Sequence, residues 1–201
     1  MFDARLRPLI DPPLNWAGAR LARMGVMADT VTWLGFVFGM SGCVLIAVES
    51  YGWALALILL GRAADGLDGA VARATVKTDR GGFLDIVLDF IFYGSVPFAF
   101  AIADPDANAV AAAALLLSYY ANGSSFLAFA VMAAKSGVET TAQGEKSLFY
   151  LAGVAEGFET ILFTALFCLF PNAFAPLAFV FAGLVAVSAG ARVAVAMRQL
   201  R

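Results

Sequence analysis

Four aspartates in the stretch "DGLDGAVARATVKTDRGGFLDIVLD" stand at spacings that a helix turns into neighbours: Asp65 with Asp68, and Asp85 with Asp89. Positions 65, 68, 69, 72 and 73 share one helix face, and here that face is Asp, Asp, Gly, Ala and Arg, with Leu67 and Val71 on the remaining surface. Gly81 and Gly82 come one turn before Asp85. Two antiparallel helices joined by a short loop would turn both stripes towards one cavity. Four like charges gathered there need positive charge between them. Hard divalent cations with oxygen ligands supply it, and Mg²⁺ in particular takes carboxylates together with substrate phosphates. Gly69, Ala72, Gly81 and Gly82 remove side-chain bulk on the same side, which lets a ligand approach the backbone. Arg73 adds a planar donor fork suited to phosphate. Together these residues describe a metal–diphosphate site. The chain has no histidine. That excludes a histidine nucleophile and a Ser-His-Asp triad, and leaves a carboxylate as the leading candidate for any general base.

The elements that must carry this site are membrane helices. Of 201 residues, 62% are hydrophobic and 14% charged, and the mean hydropathy is +0.85. A soluble domain of this length has no core large enough to hide that much apolar side chain. The expected fold is an all-α integral membrane domain occupying residues 1–201, with an interfacial segment at 1–26 and six transmembrane helices within 31–197. A span needs about 20 mostly apolar residues, and six segments qualify: 31–49, 53–74, 82–103, 108–134, 146–169 and 173–197. Residues 12–24 form an amphipathic helix before the first span, with Leu14, Ala17, Leu21 and Met24 on one face, suited to lying along the membrane interface. Cys43 and Cys168 fall inside apolar segments and are expected to be free thiols. Lysines and arginines cluster before the first span, between the second and third, around the fourth loop and at the C-terminus; the three opposite loops have none. This asymmetry places both termini on the cytoplasmic side.

The stretches "DGLDGAVAR" and "GGFLDIVLD" resemble the signature of the CDP-alcohol phosphotransferases, D-x-x-D-G-x-x-A-R, eight residues, then G-x-x-x-D-x-x-x-D. All eight fixed residues are present, although seven residues rather than eight separate Arg73 from Gly81. Taking Gly82 as the glycine restores eight and shortens the next interval. "ADTVT" before the first span is similar to a further conserved region of that family. The resemblance implies that Asp65, Asp68, Asp85 and Asp89 hold two divalent ions, Mg²⁺ or Mn²⁺, and that Asp89 is also the general base. It implies that Gly69, Ala72, Arg73 and Gly81 contact the CDP moiety, that CDP-diacylglycerol and a small polar alcohol are the substrates, and that the protein is a homodimer in the bacterial inner membrane with a cytoplasmic active site. No nucleic-acid partner is expected.

The acceptor is not written in the signature. Charges outside it are Lys135, Lys146, Glu156, Glu159 and Arg192, and Glu156 and Glu159 share a helix face. One reading has the glutamates pairing with Arg62 or Arg192 to hold helices together. The other makes the group an acceptor pocket. Its three cations then favour a phosphorylated polyol such as glycerol 3-phosphate, and its two glutamates an amino alcohol such as serine. Alternatives of other classes are an intramembrane Mg-diphosphate prenyltransferase and a cation transporter using the aspartate cluster. Cysteines introduced at Lys77 or Glu139 should react with an impermeant thiol reagent from the cytoplasmic side, and those at Asp104 or Asn172 from the opposite side. The reverse labelling pattern would refute the orientation.

Overall fold

The computed structural model describes residues 3–135 and 157–199, and every regular element among them is helical. Seven helices follow in order: α1 (Asp3–Arg23), α2 (Ala28–Ala47), α3 (Tyr51–Ala74), α4 (Asp79–Ala103), α5 (Pro105–Lys135), α6 (Gly157–Leu169) and α7 (Phe174–Gln199), with a single 3₁₀ turn, Pro171–Ala173, leading into α7. Four stretches are long and apolar enough to cross a membrane: α2, α4, α5 and Pro171–Arg198. They fall where spans are expected, with ends shifted by a few residues. Helix α3 has the length, but it carries Arg62, Asp65, Asp68 and Arg73 and is not among the four. Helix α6 is apolar and has 13 residues; the first part of the expected fifth span, 146–156, lies outside the described residues.

Local chemistry sets the turns. Gly25 takes φ +81° between α1 and α2, a left-handed conformation that glycine reaches without penalty. Thr78 caps α4 by accepting the Gly81 N–H at 3.0 Å. At the other end of α4, Asp104 Oδ1 accepts from the Ala107 N–H, while the Asn108 side chain donates to the Phe100 carbonyl. The α4–α5 corner is thus closed by side chains on both sides.

Glycines govern how α2 meets its neighbours. A Cβ on Gly61 of α3 would stand 2.8 Å from the Gly35 carbonyl oxygen and 3.1 Å from the Gly39 nitrogen, so α2 and α3 touch backbone to backbone. A Cβ on Gly39 would meet the Phe92 ring of α4 at 2.8 Å. Helix α1 docks on α3 in the same manner, with Gly18 over Ala70. It is longer than the 12–24 stretch, and runs through Pro8, Pro12 and Pro13. Of the expected apolar face, Leu14, Ala17 and Leu21 are half-buried and Met24 is exposed.

The core lies at the end of the bundle away from the aspartates. Phe100 stacks on Phe174 at 4.3 Å and Phe163 on Phe181 at 4.2 Å, with Phe167 edge-on between them. Cys43 and Cys168 are buried free thiols in this cluster, as expected. Outward-facing Leu34, Val37 and Val44 on α2 and Phe98 and Ile102 on α4 are exposed apolar side chains suited to lipid.

Backbone contact makes a specific demand. Gly61→Ala should destabilise the protein by about 1–3 kcal/mol, the usual cost of overpacking. Gly183→Ala, where a Cβ meets nothing within 4 Å, should be neutral or slightly stabilising. Thermal unfolding in detergent measures both, and equal melting points for the two variants would disprove the close contact.

Candidate active site

The α3 and α4 stripes face each other as helical spacing requires. One carboxylate oxygen each from Asp65, Asp68 and Asp85 lies within 4.8 Å of the others. Asp68 is 7% exposed, and its Oδ2 is buried with no hydrogen-bond partner among the described residues. A buried carboxylate oxygen without a donor is a costly arrangement in an apolar bundle. Three convergent carboxylates around such an orphan fit a hard divalent cation, which takes oxygen ligands and removes the deficit.

Asp89 stands beside this trio and is held separately. Its Oδ1 accepts from Arg62 Nη1 at 2.8 Å, and the same nitrogen lies 3.5 Å from Asp65 Oδ1. A small cavity of about 10 Å³ is enclosed by Arg62, Asp65, Asp85, Asp89 and Thr32, among others. The four aspartates are therefore one neighbourhood in which Arg62 pairs closely with Asp89 and more loosely with Asp65, while Asp68 and Asp85 make no ion pair among the described residues.

A larger cleft of about 730 Å³ opens next to the trio, within the range of ligand sites. Its walls include Asp68, Gly69, Ala72, Arg73, Gly81 and Gly82. The residues expected to contact a CDP moiety thus line one cleft, and two of the carboxylates, Asp68 and Asp85, open onto it. A Cβ on Gly81 would meet the capping Thr78 hydroxyl at 3.1 Å and Asp29 at 3.3 Å, whereas one on Gly82 would meet nothing within 4 Å. Gly81 is tied to the helix cap, and Gly82 faces open space. Lys77 from the α3–α4 loop and Arg80 from the first turn of α4 add cations to the same wall. A separate hollow of about 600 Å³ around Glu49, Tyr51 and Trp53 contains one carboxylate and no cation, and no chemistry follows from it.

One residue at the site carried no motif signal. Asn15 of α1 accepts two N–H groups from Arg73, at 2.9 and 3.2 Å, and fixes the guanidinium at the cleft. Asp29, within the "ADTVT" stretch at the start of α2, lies 3.7 Å from Arg80. Arg62 had a signal, since it sits three residues before Asp65 on the same helix face. The suggested acceptor residues are scattered or undescribed. Arg192 donates to the Asn122 carbonyl and side-chain oxygens at 3.0 and 3.1 Å, with its guanidinium 5.5 Å from the Phe126 ring centre. Lys135 is exposed at the end of α5 and Glu159 is half-buried near the start of α6. Lys146 and Glu156 lie outside the described residues.

A helical membrane bundle with paired aspartate stripes beside a cleft of small residues and basic side chains fits a membrane transferase acting on a diphosphate. Residues 25–197 match the CDP-alcohol phosphatidyltransferase family, and the chain belongs to it. It is 46% identical over 184 residues to the inner membrane protein YnjF of Escherichia coli (strain K12), a match covering 92% of this chain and 89% of that protein. A match to the archaetidylinositol phosphate synthase of Pyrococcus horikoshii, 32% identical over 100 residues, covers about half of each chain (49% and 53%). The fold is shared with the crystal structure of Mycobacterium tuberculosis phosphatidylinositol phosphate synthase with CDP-DAG bound, at a TM-score of 0.57 and 21% identity over 93% of this chain and 91% of that one. The protein is a multi-pass membrane enzyme that transfers substituted phosphate groups. The prenyltransferase and transporter alternatives are set aside by this membership.

The Asn15 contact is testable. Asn15→Ala releases Arg73 from a charge-assisted pair, a type of hydrogen bond worth about 1.5–3 kcal/mol. The KM for the CDP-linked substrate should rise by roughly tenfold, with kcat little changed. An unchanged KM would show that Arg73 is positioned without Asn15.

Proposed function

We propose that this enzyme transfers a phosphatidyl group from CDP-diacylglycerol to a small polar alcohol, releasing CMP, as a step of phospholipid biosynthesis. The observation that carries the reading is the juxtaposition of the 730 Å³ cleft, lined by Gly69, Ala72 and Arg73, with the Asp65–Asp68–Asp85 cluster. The similar protein of known structure was solved with CDP-DAG bound, which supports the same donor here. Two of the similar proteins carry inositol phosphate in their names, which supports a phosphorylated polyol such as glycerol 3-phosphate or inositol phosphate as the acceptor.

Asp65, Asp68, Asp85 and Asp89 would hold two divalent ions, Mg²⁺ or Mn²⁺. When bound, the ions neutralise the diphosphate and stabilise departing CMP. Arg73 binds a phosphate of the nucleotide from the position Asn15 gives it, and the small residues Gly69, Ala72 and Gly81 or Gly82 admit the nucleotide close to the helix backbones. Asp89 takes the proton of the acceptor hydroxyl. The hydroxyl oxygen attacks the lipid-side phosphorus, a new P–O bond forms, and the P–O bond to CMP breaks. Lys135, Lys146 and Arg192 would meet an acceptor phosphate. Glu156 and Glu159 would instead serve hydroxyl or ammonium groups.

In the same reading the chain is a single membrane domain. Helices α3 and α6 complete six spans, and α1 lies along the interface. Both termini and the site face the cytoplasm of a bacterial inner membrane, and the working unit is a homodimer.

Purified protein should release CMP from CDP-diacylglycerol on addition of a phosphorylated polyol. EDTA should stop the reaction, and Mg²⁺ or Mn²⁺ should restore it. Asp89→Asn should lower kcat by about 10²–10⁴-fold, the worth of a general base, while lipid binding persists. CMP release with serine alone would replace the polyol by an amino alcohol. Release undiminished in excess EDTA would refute the metal-dependent mechanism.

A further inference from the structure

Arg62 has no part in the reaction as set out above, yet it is the cation nearest the chemistry. Its side chain is 8% exposed. The guanidinium carbon lies 4.5 Å from the Phe92 ring centre and 5.4 Å from that of Tyr93. Nη1 alone reaches Asp89 Oδ1 at 2.8 Å, the Tyr93 hydroxyl at 3.2 Å and Asp65 Oδ1 at 3.5 Å. Nε is buried with no hydrogen-bond partner among the described residues. The aromatic pair fixes the guanidinium from one side and the carboxylates take it from the other, so its place is set independently of any ligand.

The geometry points to Arg62 as a positioning residue that holds Asp89 and makes occupancy of the second divalent-ion position depend on the substrate's diphosphate. This inference rests on the metal-dependent reading above. Four carboxylates and one guanidinium leave the cluster with three negative charges in excess. One divalent ion among Asp65, Asp68 and Asp85 reduces that excess to a single charge and satisfies the orphaned Asp68 oxygen. A second ion would turn the cluster positive while standing against a buried guanidinium, an arrangement that low-polarity surroundings penalise. It would also share Asp89 with Nη1, which already donates to its Oδ1. The cavity lined by Arg62, Asp65, Asp85 and Asp89 is about 10 Å³, room for one water-sized body, so a second ion there stands directly beside the guanidinium. The diphosphate of a CDP-lipid brings two negative charges to the adjoining cleft, and with them the second ion becomes favourable. Arg62 then gives up part of its hold on Asp89, and the carboxylate is free to act only when substrate is present.

Manganese binding, followed by the electron paramagnetic resonance signal of free Mn²⁺, tests this on the full chain in detergent, with CDP-diacylglycerol present or absent and no acceptor. The wild-type protein should bind one Mn²⁺ per chain alone and two with CDP-diacylglycerol, the second binding at least about tenfold more weakly when the lipid is absent. Arg62→Gln should bind two ions of similar affinity without the lipid. Two equal ions in lipid-free wild type, or the wild-type order preserved in Arg62→Gln, overturns the inference and leaves the metal-dependent reaction standing. No bound Mn²⁺ under any condition overturns both. Should Arg62→Gln fail to fold, Arg62→Lys, which keeps the charge and loses the fork, takes its place. A tenfold lipid dependence retained in both proteins, with two equal ions in neither, supports charge at this position, and two equal ions in lipid-free wild type still overturns the inference.

Discussion

Carboxylates removed from water inside an apolar bundle are the constraint on which the rest of this structure depends. An unpaired buried carboxylate is unfavourable by several kcal/mol, and α3 and α4 bring four of them together. Each unusual feature nearby answers that demand. Arg62 pairs with Asp89 and Asp65. Asp68 keeps one oxygen without a donor among the described residues, which an added cation would satisfy. Arg73, Lys77 and Arg80 line the adjoining cleft, so a diphosphate placed there meets positive charge on one side and carboxylates on the other. The protein's negative charge is thereby placed where a bound cation and an anionic ligand would balance it.

The same two helices also serve the opposite end of the molecule. Helix α4 begins with the Thr78 cap and the aspartates and ends in Phe100, which stacks on Phe174 of α7. Helix α3 begins with Tyr51 against Phe100 and ends beside the cleft. An aromatic core that needs no water or ion thus anchors one half of each helix, and the other half is left to chemistry. Phe92 joins the two zones: it packs into the space left by Gly39 and lies under the Arg62 guanidinium. A glycine on α2 in this way sets the position of a charge that acts on α4.

Periodicity made the stripes legible. Aspartates three and four residues apart must share a helix face, and a short loop between two helices makes those faces meet. The cleft wall was readable for the same reason, since Gly69, Ala72 and Arg73 continue the α3 stripe. What periodicity could not give was contact between distant segments. Asn15 is 58 residues from Arg73 and no local pattern links them. Asp89 lies on the same stripe as Asp85, yet its partner is on α3, so its separation from the other three could not be seen in spacing. Arg62 was within reach of the same arithmetic, but as a cation it invited pairing with the later glutamates rather than with the aspartates beside it. For α3 composition gives the weaker signal, because the site's own charges offset the apolar character of the expected span.

The polarity of α3 bears on how the chain enters the membrane during synthesis. Each Asp or Arg near the middle of an inserting helix opposes partition into lipid by about 2.5–3.5 kcal/mol, and α3 contains several. Emerging alone from the translocation channel, such a segment would tend to stay in water. The glycine ridge of α2 offers it another environment, because Gly35 and Gly39 let α3 approach backbone to backbone. The two helices are joined by the short turn at Val48–Ser50, so α2 is already in place when α3 appears. With α3 as a span, the hairpin rather than the single helix would be the unit that leaves the channel, and the site's charges would enter the membrane already sheltered by a neighbour.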